Sequence, residues 1–449
     1  MNSRSNFLKI VILFVIAMSS ATGTAQLEKG DRILGWQVDM AENANYDLAY
    51  AFATEACMES VHVFFPWNFI ESDLNTFTIE GIVNLDIINL YHPLNGIKAE
   101  LAIPPVNTVA KEMPADLMVL PFDSPLVINR YKALLDTIFN HIPDLELTAL
   151  NIGNENDIFF GTNEQLYVEF KAFLDEVVPY AQQLYFDLHG EELKVGTVCS
   201  FHGLTSPATS DLCALLNEGL NVISTTYYPL NGDFTMQAPT VIATDFTELV
   251  AMYPDASTPI HFTECGYSSS PACNSSEEQQ ATFFENLFSA WDDNYDNIKY
   301  ITIFKSTDWS QAEVDTFLEY YGIDTLEFSE YLRSLGVRTW DNDGTNKLAY
   351  EQIKCALEAR NWCAVACAIQ STNELNLLAG IDVYPNPTEH LLKVPEEYTS
   401  FRILNSNGAS IIEGPLQSST IDVSTLRAGV YVIIVSNETT STLERFIKL

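Results

Sequence analysis

Leu147-Thr148-Ala149-Leu150-Asn151-Ile152, then Gly153-Asn154-Glu155-Asn156, then Gln165 to Leu184 with Leu166, Phe170, Leu174 and Val177 on one face, reads as strand, turn and helix. The first run has the length of a buried strand. The later spacing of three and four is that of an amphipathic helix. The same unit recurs along the chain. Strand-like runs stand at Ile33–Asp39, Ser60–Phe65, Lys98–Ile103, Leu193–Cys199, Val222–Thr226, Ile260–Thr263 and Tyr300–Phe304. Amphipathic segments separate them. One opens with Ser276 and Gln279 at capping-box spacing, ahead of Phe283, Phe284, Leu287 and Phe288. Strands alternating with helices pair in parallel, and eight such units close into a (β/α)8 TIM barrel. The competing topology is an open doubly wound sheet, but no glycine-rich dinucleotide loop follows the first strand. The expected fold is an α/β barrel over residues 26–365.

The composition limits what such a barrel does. Of 449 residues, 22 are Lys or Arg and 60 are Asp or Glu, a formal net charge of −38, and 47% are hydrophobic. That apolar content supplies a packed core and excludes global disorder. The acidic balance excludes nucleic acid as the expected partner, because phosphate binding needs clustered Lys and Arg.

The amino terminus points to export. Arg4 and Lys9 precede the apolar run Ile10–Met18 and the small-residue end Thr22-Gly23-Thr24-Ala25, the order of a signal peptide cleaved after Ala25. Eight cysteines lie beyond it, at 57, 199, 213, 265, 273, 355, 363 and 367, and an exported chain can bridge them in 105 ways. The candidate pairs are Cys265 with Cys273, Cys199 with Cys213, Cys57 with Cys355 and Cys363 with Cys367, and the alternative is that several are buried free thiols. No C-x-x-C repeat and no H-E-x-x-H occurs, and His202 and His261 lack spaced partners, so no metal site is expected.

Residues 366–379 have no clear periodicity and read as a linker. From residue 380 the pattern becomes short alternating strands, Leu391–Val394, Phe401–Leu404, Ile421–Val423, Val430–Val435 and Leu443–Leu449, with a turn at Asn407-Gly408. These make a small all-β, immunoglobulin-like sandwich over 380–449. Its motifs are Val383-Tyr384-Pro385-Asn386-Pro387, Phe401-Arg402-Ile403-Leu404-Asn405, Ile421-Asp422-Val423-Ser424-Thr425-Leu426, Gly429-Val430-Tyr431 and the closing Phe446-Ile447-Lys448-Leu449. In that order they resemble the carboxy-terminal sorting domain of the type IX secretion system. The resemblance implies export through that machinery in a bacterium of the Bacteroidetes group, to the medium or the cell surface.

In a parallel barrel, chemistry sits at the carboxyl ends of the strands. Glu155 follows the fourth strand and Glu264 ends the seventh, in Ile260-His261-Phe262-Thr263-Glu264-Cys265. Strands four and seven face each other across the barrel mouth. Two carboxylates there suit retaining glycoside hydrolysis, in which an acid protonates the leaving oxygen and a carboxylate about 5–5.5 Å away attacks the anomeric carbon. Asn-Glu and Thr-Glu pairs recur elsewhere in the chain; it is their place at strand ends that selects these two.

With those motifs the barrel resembles the clan A glycoside hydrolases. The resemblance implies Glu155 as acid/base, Glu264 as nucleophile and Asn154 as partner of the sugar 2-hydroxyl, with no cofactor. Thr225-Thr226-Tyr227-Tyr228-Pro229 is similar to the strand-six segment of endo-β-1,4-galactanases, where a tyrosine holds the nucleophile. Tyr227 is the first candidate and Tyr228 the second. Leu335-Gly336-Val337-Arg338 with Thr339-Trp340 resembles the closing segment of these barrels. His62 departs from the family, standing where many members have arginine. Trp36, Trp67 and Trp309 offer faces for sugar rings, and Asp39, Asn68, Asn107, His202 and Lys305 offer hydrogen bonds to hydroxyls. Glu155 is expected to have a raised pKa and Glu264 to stay ionised. Export and the strand-six motif favour cutting within a carbohydrate chain. The rival readings are a non-catalytic carbohydrate-binding protein and an adhesin on a degenerate barrel, in which the two glutamates would not share a cleft.

Overall fold

The computed structural model describes residues 28–340, 344–367, 383–395, 398–404, 410–416, 418–437 and 441–449. The signal segment, most of the linker and Asn407-Gly408 lie outside them. The chain divides into two compact units at Ala368 and Ile369.

In the first unit, strands β1 (Ile33–Trp36), β2 (Ser60–Phe64), β3 (Lys98–Ala102) and β4 (Leu147–Asn151) are followed by β5, which comes in two pieces, Val195–Gly196 and Val198–Ser200. Then come β6 (Ile223–Tyr227), β7 (Ile260–Cys265) and β8 (Ile298–Ile303). Every neighbouring pair is parallel, and β8 pairs with β1 through Ile33–Tyr300 and Leu34–Ile301. The sheet begins and ends on the two pieces of β5, so it closes on itself. The fold is a TIM barrel.

A helix returns the chain after each strand: α1 (Tyr46–Glu55), α2 (Ile79–Leu94), α3 (Pro125–His141), α4 (Glu164–His189), α5 (Ser210–Asn217), α6 (Ile242–Met252), α7 (Glu277–Asp293) and α8 (Leu348–Glu358). Local chemistry sets several of their starts. Asn45, Thr78 and Ser276 each accept a backbone N–H of the first turn, a cap that contributes about 1 kcal/mol. Gly190 ends α4 in the left-handed conformation, which glycine adopts without steric cost.

Barrel closure corrects two expectations from the sequence. Trp36 is fully buried, edge-on to Phe52 of α1 and Tyr350 of α8, so it packs outward against helices and offers no face to a sugar. Trp67 is buried likewise, donating to Glu71 and lying edge-on to Tyr131. The interior also carries charge. The Glu100 carboxylate accepts hydrogen bonds from Thr148 at 2.6 Å and Asn151 at 2.9 Å, with His261 Nδ1 at 3.3 Å. Burial alone would raise the Glu100 pKa; the His261 ring and these donors outweigh it and leave the group below its ordinary value.

Two disulfides join Cys57 to Cys363 and Cys355 to Cys367, with Cα–Cα distances of 5.9 and 4.4 Å. Cys57 and Cys355 are therefore not partners, nor are Cys363 and Cys367. Contact between the α1 and α8 ends brings Cys57 within reach of the segment after α8. Cys199, Cys213, Cys265 and Cys273 are buried free thiols, so neither candidate pair among them forms. Cys265 is wholly buried next to a glutamate that faces the barrel mouth, as alternation along a strand requires. Cys273 Sγ contacts the Glu327 carbonyl instead of Cys265.

Among the described residues the second unit has six strands: β9 (Leu391–Lys393), β10 (Ser400–Leu404), β11 (Ser410–Pro415), β12 (Thr420–Asp422), β13 (Gly429–Ser436) and β14 (Ser441–Lys448). They form an antiparallel β9-β12 pair and an antiparallel sheet in the order β11-β10-β13-β14. Leu392, Ile421 and Val423 pack with Ile403, Ile433 and Phe446 in one apolar core.

Candidate active site

The turn after β4 is built to present Glu155. Gly153 has φ +95°, and a Cβ there would meet Asn156 Oδ1 at 2.3 Å. Asn156 in turn donates to Thr197 and to the Val198 carbonyl, which ties the turn to β5 where that strand breaks. Glu155 itself sits in the left-handed region at φ 46°, an uncommon conformation for a non-glycine residue. The β3–α3 loop is sewn onto the same turn. Asn154 N donates to the Val106 carbonyl and Thr108 N to the Asn154 carbonyl, while Asn154 Nδ2 donates to Asn107 Oδ1.

This framework brings two hydroxyls to Glu155. Thr108 donates to Oε2 at 2.9 Å, and Thr226, on β6, donates to Oε1 at 2.7 Å. Thr226 is also the register partner of Glu264 across the β6–β7 pair. The two glutamates therefore flank one threonine. Two residues further along, Tyr228 donates to Glu264 Oε2 at 2.6 Å. Tyr227 points the other way, bonding Asp245 of α6 at 2.6 Å and lying edge-on to Phe246. The first candidate for holding Glu264 is thus corrected to the second, because successive side chains of a strand face opposite sides.

Glu155 and Glu264 line one cavity of about 500 Å³, within the range of small-ligand sites. Asp39, Asn107, Asn154, Tyr228 and Trp309 join them on its wall, as does His62. Lys305 lies behind it, buried, 2.8 Å from Asp39 and 3.8 Å from the centre of the Trp309 ring. His202 is exposed and takes no part in the wall, and Asn68 is exposed and bonded to Glu112 at 2.8 Å. Thr108, Thr226 and Gln37 were not singled out in the sequence. Nor were the aromatic residues Phe317, Tyr321, Phe328 and Tyr331, which come from two helices in the β8–α8 connection. The dense aromatic run between Phe304 and Tyr331 is the signal that marks them.

Burial raises the pKa of Glu155, and Asp157 nearby raises it further against the two threonine hydrogen bonds. Glu264 is pushed up to about 8 by burial and by the charge of Glu155, with the Tyr228 hydroxyl opposing. Both carboxyls are thus raised, where the sequence led to that expectation for Glu155 alone. Two carboxylates in one poorly solvated cleft resist double ionisation, which favours their sharing a proton.

The carboxy-terminal residues match a family model. Residues 382–449 are a secretion system C-terminal sorting domain. This tail belongs to type IX secretion, and the protein is secreted or displayed on the cell surface. Among the described residues, no helix is long and apolar enough to cross a membrane. Comparison with curated proteins finds no match in sequence.

Solved structures share the barrel fold. An exo-β-1,4-mannosidase from Opitutaceae bacterium strain TAV5 superposes with a TM-score of 0.52 at 14% identity, over 75% of this chain and 62% of its own. The chain therefore spans less than two thirds of that mannosidase. A GH5_18 protein from Bifidobacterium longum in complex with Manβ1-4GlcNAc gives 0.54 at 13% identity, covering 75% of this chain and 80% of its own. One from Streptomyces cattleya in complex with GlcNAc gives 0.53 at 15%, covering 74% and 82%. At these identities the likeness is one of fold.

Proposed function

We propose that the barrel is a retaining β-glycoside hydrolase acting on a carbohydrate chain outside the cell. The observation that carries this reading is the pair Glu155 and Glu264, flanking Thr226 at the ends of β4 and β7 and lining one cavity. The shared fold with the mannosidase and GH5_18 proteins supports it.

In the reactive form Glu155 holds the shared proton and Glu264 is ionised. Its threonine partners suit this, since a hydroxyl can turn from donor to acceptor when Glu155 is protonated. Positive charge developing at the anomeric carbon lies against Glu264 and favours its ionised form. Glu155 gives its proton to the glycosidic oxygen as Glu264 attacks the anomeric carbon, and the leaving chain departs. Glu155, now ionised, takes a proton from water, which displaces Glu264 and frees a sugar of retained configuration. Tyr228 steadies Glu264 throughout, and Asn154, held by Asn107, is placed for the 2-hydroxyl.

The test uses 4-nitrophenyl β-glycosides. Glu264→Gln should remove cleavage while the circular dichroism of the barrel is kept. Glu155→Ala should recover turnover of these activated substrates when azide is added, and NMR should show the first product with the β configuration. An inverted product, or full activity in Glu264→Gln, overturns the mechanism.

A further inference from the structure

The cavity has a closed side and an open side. Two capped helices in the β8–α8 connection form a strap over the first. The helix Gln311–Tyr321 starts with the capping box of Ser310 and Glu313 and ends at Gly322 in the left-handed conformation; Leu326–Arg333 starts at the Thr325 cap. Lys305, just beyond β8 and ahead of the first helix, pairs with Asp39 beyond β1 at 2.8 Å and lies against Trp309, which places the start of that helix on the β1 side. Its far end reaches the β3 loop, where Tyr320 donates to the Asn107 carbonyl and Glu112 Oε1, each at 2.9 Å. Eleven residues of helix span about 16 Å, so the strap crosses β2 on the way. Glu112 also accepts from Asn68 of the β2–α2 loop, and three loops are clasped together.

The strap is fixed at its base as well. Lys347 Nζ bonds Asp308 at 2.7 Å, Ser269 at 3.0 Å and the Ser334 carbonyl at 3.2 Å, joining both feet to the loop after β7. Beneath the strap, Gln37 Oε1 and both ring nitrogens of His62 are buried without a protein hydrogen-bond partner, and both residues line the cavity. Burial pushes the His62 pKa down to about 4, so the ring is neutral and offers one donor and one acceptor. Buried polar groups of this kind are ordinarily satisfied by protein, water or ligand, and these two face the cavity, where the hydroxyls of a bound sugar can reach them.

Past the clasp, toward Glu155, the wall is open. Val109 and Ile158 line the cavity beside Glu155 and are 40% and 48% exposed. An acid must stand beside the oxygen it protonates, so the leaving group lies on the Glu155 side. The sugar attacked by Glu264 then has its far end under the strap.

We propose that the clasped strap closes the glycone side of the cavity, so that the protein removes only the terminal sugar at the non-reducing end of a chain, its outer hydroxyls bonded by Gln37 and His62. This rests on the glycosidase reading, and it replaces the expectation of internal cleavage.

The experiment gives the full chain β-1,3- and β-1,4-linked oligosaccharides labelled at the reducing end, the same oligosaccharides with a methylated non-reducing-terminal hydroxyl, and 4-nitrophenyl β-glycosides. Labelled products should shorten one unit at a time, and methylation should slow cleavage about 100-fold or more, as in a site whose buried polar partners are left unpaired. Tyr320→Ala, which releases the clasp, should reduce that discrimination about tenfold and give internal products. Internal products from the unaltered protein at first appearance, or capped chains cut as fast as free ones, overturn the proposal while the glycosidase reading stands. Unchanged discrimination in a folded Tyr320→Ala overturns the part given to the clasp. Failure to cleave any 4-nitrophenyl glycoside or oligosaccharide overturns the glycosidase reading, and this proposal with it.

Discussion

Replacing Tyr228 with phenylalanine removes one hydroxyl and leaves the ring packed edge-on against Phe304 and Tyr331. What is lost is the 2.6 Å hydrogen bond to Glu264, which favours the ionised carboxylate. A hydrogen bond to a charged group contributes about 1.5–3 kcal/mol, equivalent to about one to two pKa units. The sign follows from the charge state. Glu264 already stands at about 8 with Tyr228 opposing the rise, so the variant lifts it further. The proton shared with Glu155 then rests on Glu264 more firmly, and the reactive form becomes rarer by about 10–100-fold. kcat/KM for a 4-nitrophenyl β-glycoside should fall by that factor near neutral pH. Its alkaline limb should move up from about 8 by about one to two units, because that limb is the loss of the last shared proton. Tyr227→Phe is the control. Its hydroxyl serves Asp245, so the variant should lose about 1 kcal/mol of stability and leave the limb in place. An unmoved or lowered limb in a folded Tyr228→Phe, or a raised one in Tyr227→Phe, refutes the assignment.

Other consequences of the structure are open to measurement. Glu100→Gln should cost about 1–3 kcal/mol in denaturant unfolding near neutral pH, since His261, Thr148 and Asn151 lose an ionised acceptor. Because the folded pKa of Glu100 is lowered below its ordinary 4.5, its contribution is complete above that pH and is lost as the pH falls through the folded value. The variant should lack that part of the acid-side decline; an identical decline in both proteins argues against it. Removing the Cys57–Cys363 bridge, which spans 306 residues, should lower the melting temperature more than removing Cys355–Cys367, which spans 12. Chain entropy puts the difference at about 3 kcal/mol, and differential scanning calorimetry of the two double Cys→Ser variants can reverse the order if the reasoning is wrong. Deleting residues 380–449 should leave the barrel inside the cell envelope; undiminished extracellular protein from the truncated gene would count against the sorting role of the tail.

The eight strands, the strand-end positions of Glu155 and Glu264, and the tail motifs were legible in the sequence. Each is a local pattern: strand and helix periods repeat within a few residues, and a barrel obliges every β-to-α turn to face one end. Tertiary structure decided the rest, because the rest depends on which groups meet across long separations. Tyr227 and Tyr228 are adjacent and chemically alike, and only the β6–β7 register and strand alternation send one to Asp245 and the other to Glu264. Cys57 finds Cys363, 306 residues away, because barrel closure brings the α1 and α8 ends together. Trp36 and Trp67 carry the same ring as Trp309, yet helix packing buries the first two and only the third reaches the cavity. Tyr320 looks like one more aromatic residue on an amphipathic helix. Its meaning comes from the Asn107 carbonyl, 213 residues earlier, which only the closed barrel sets beside it.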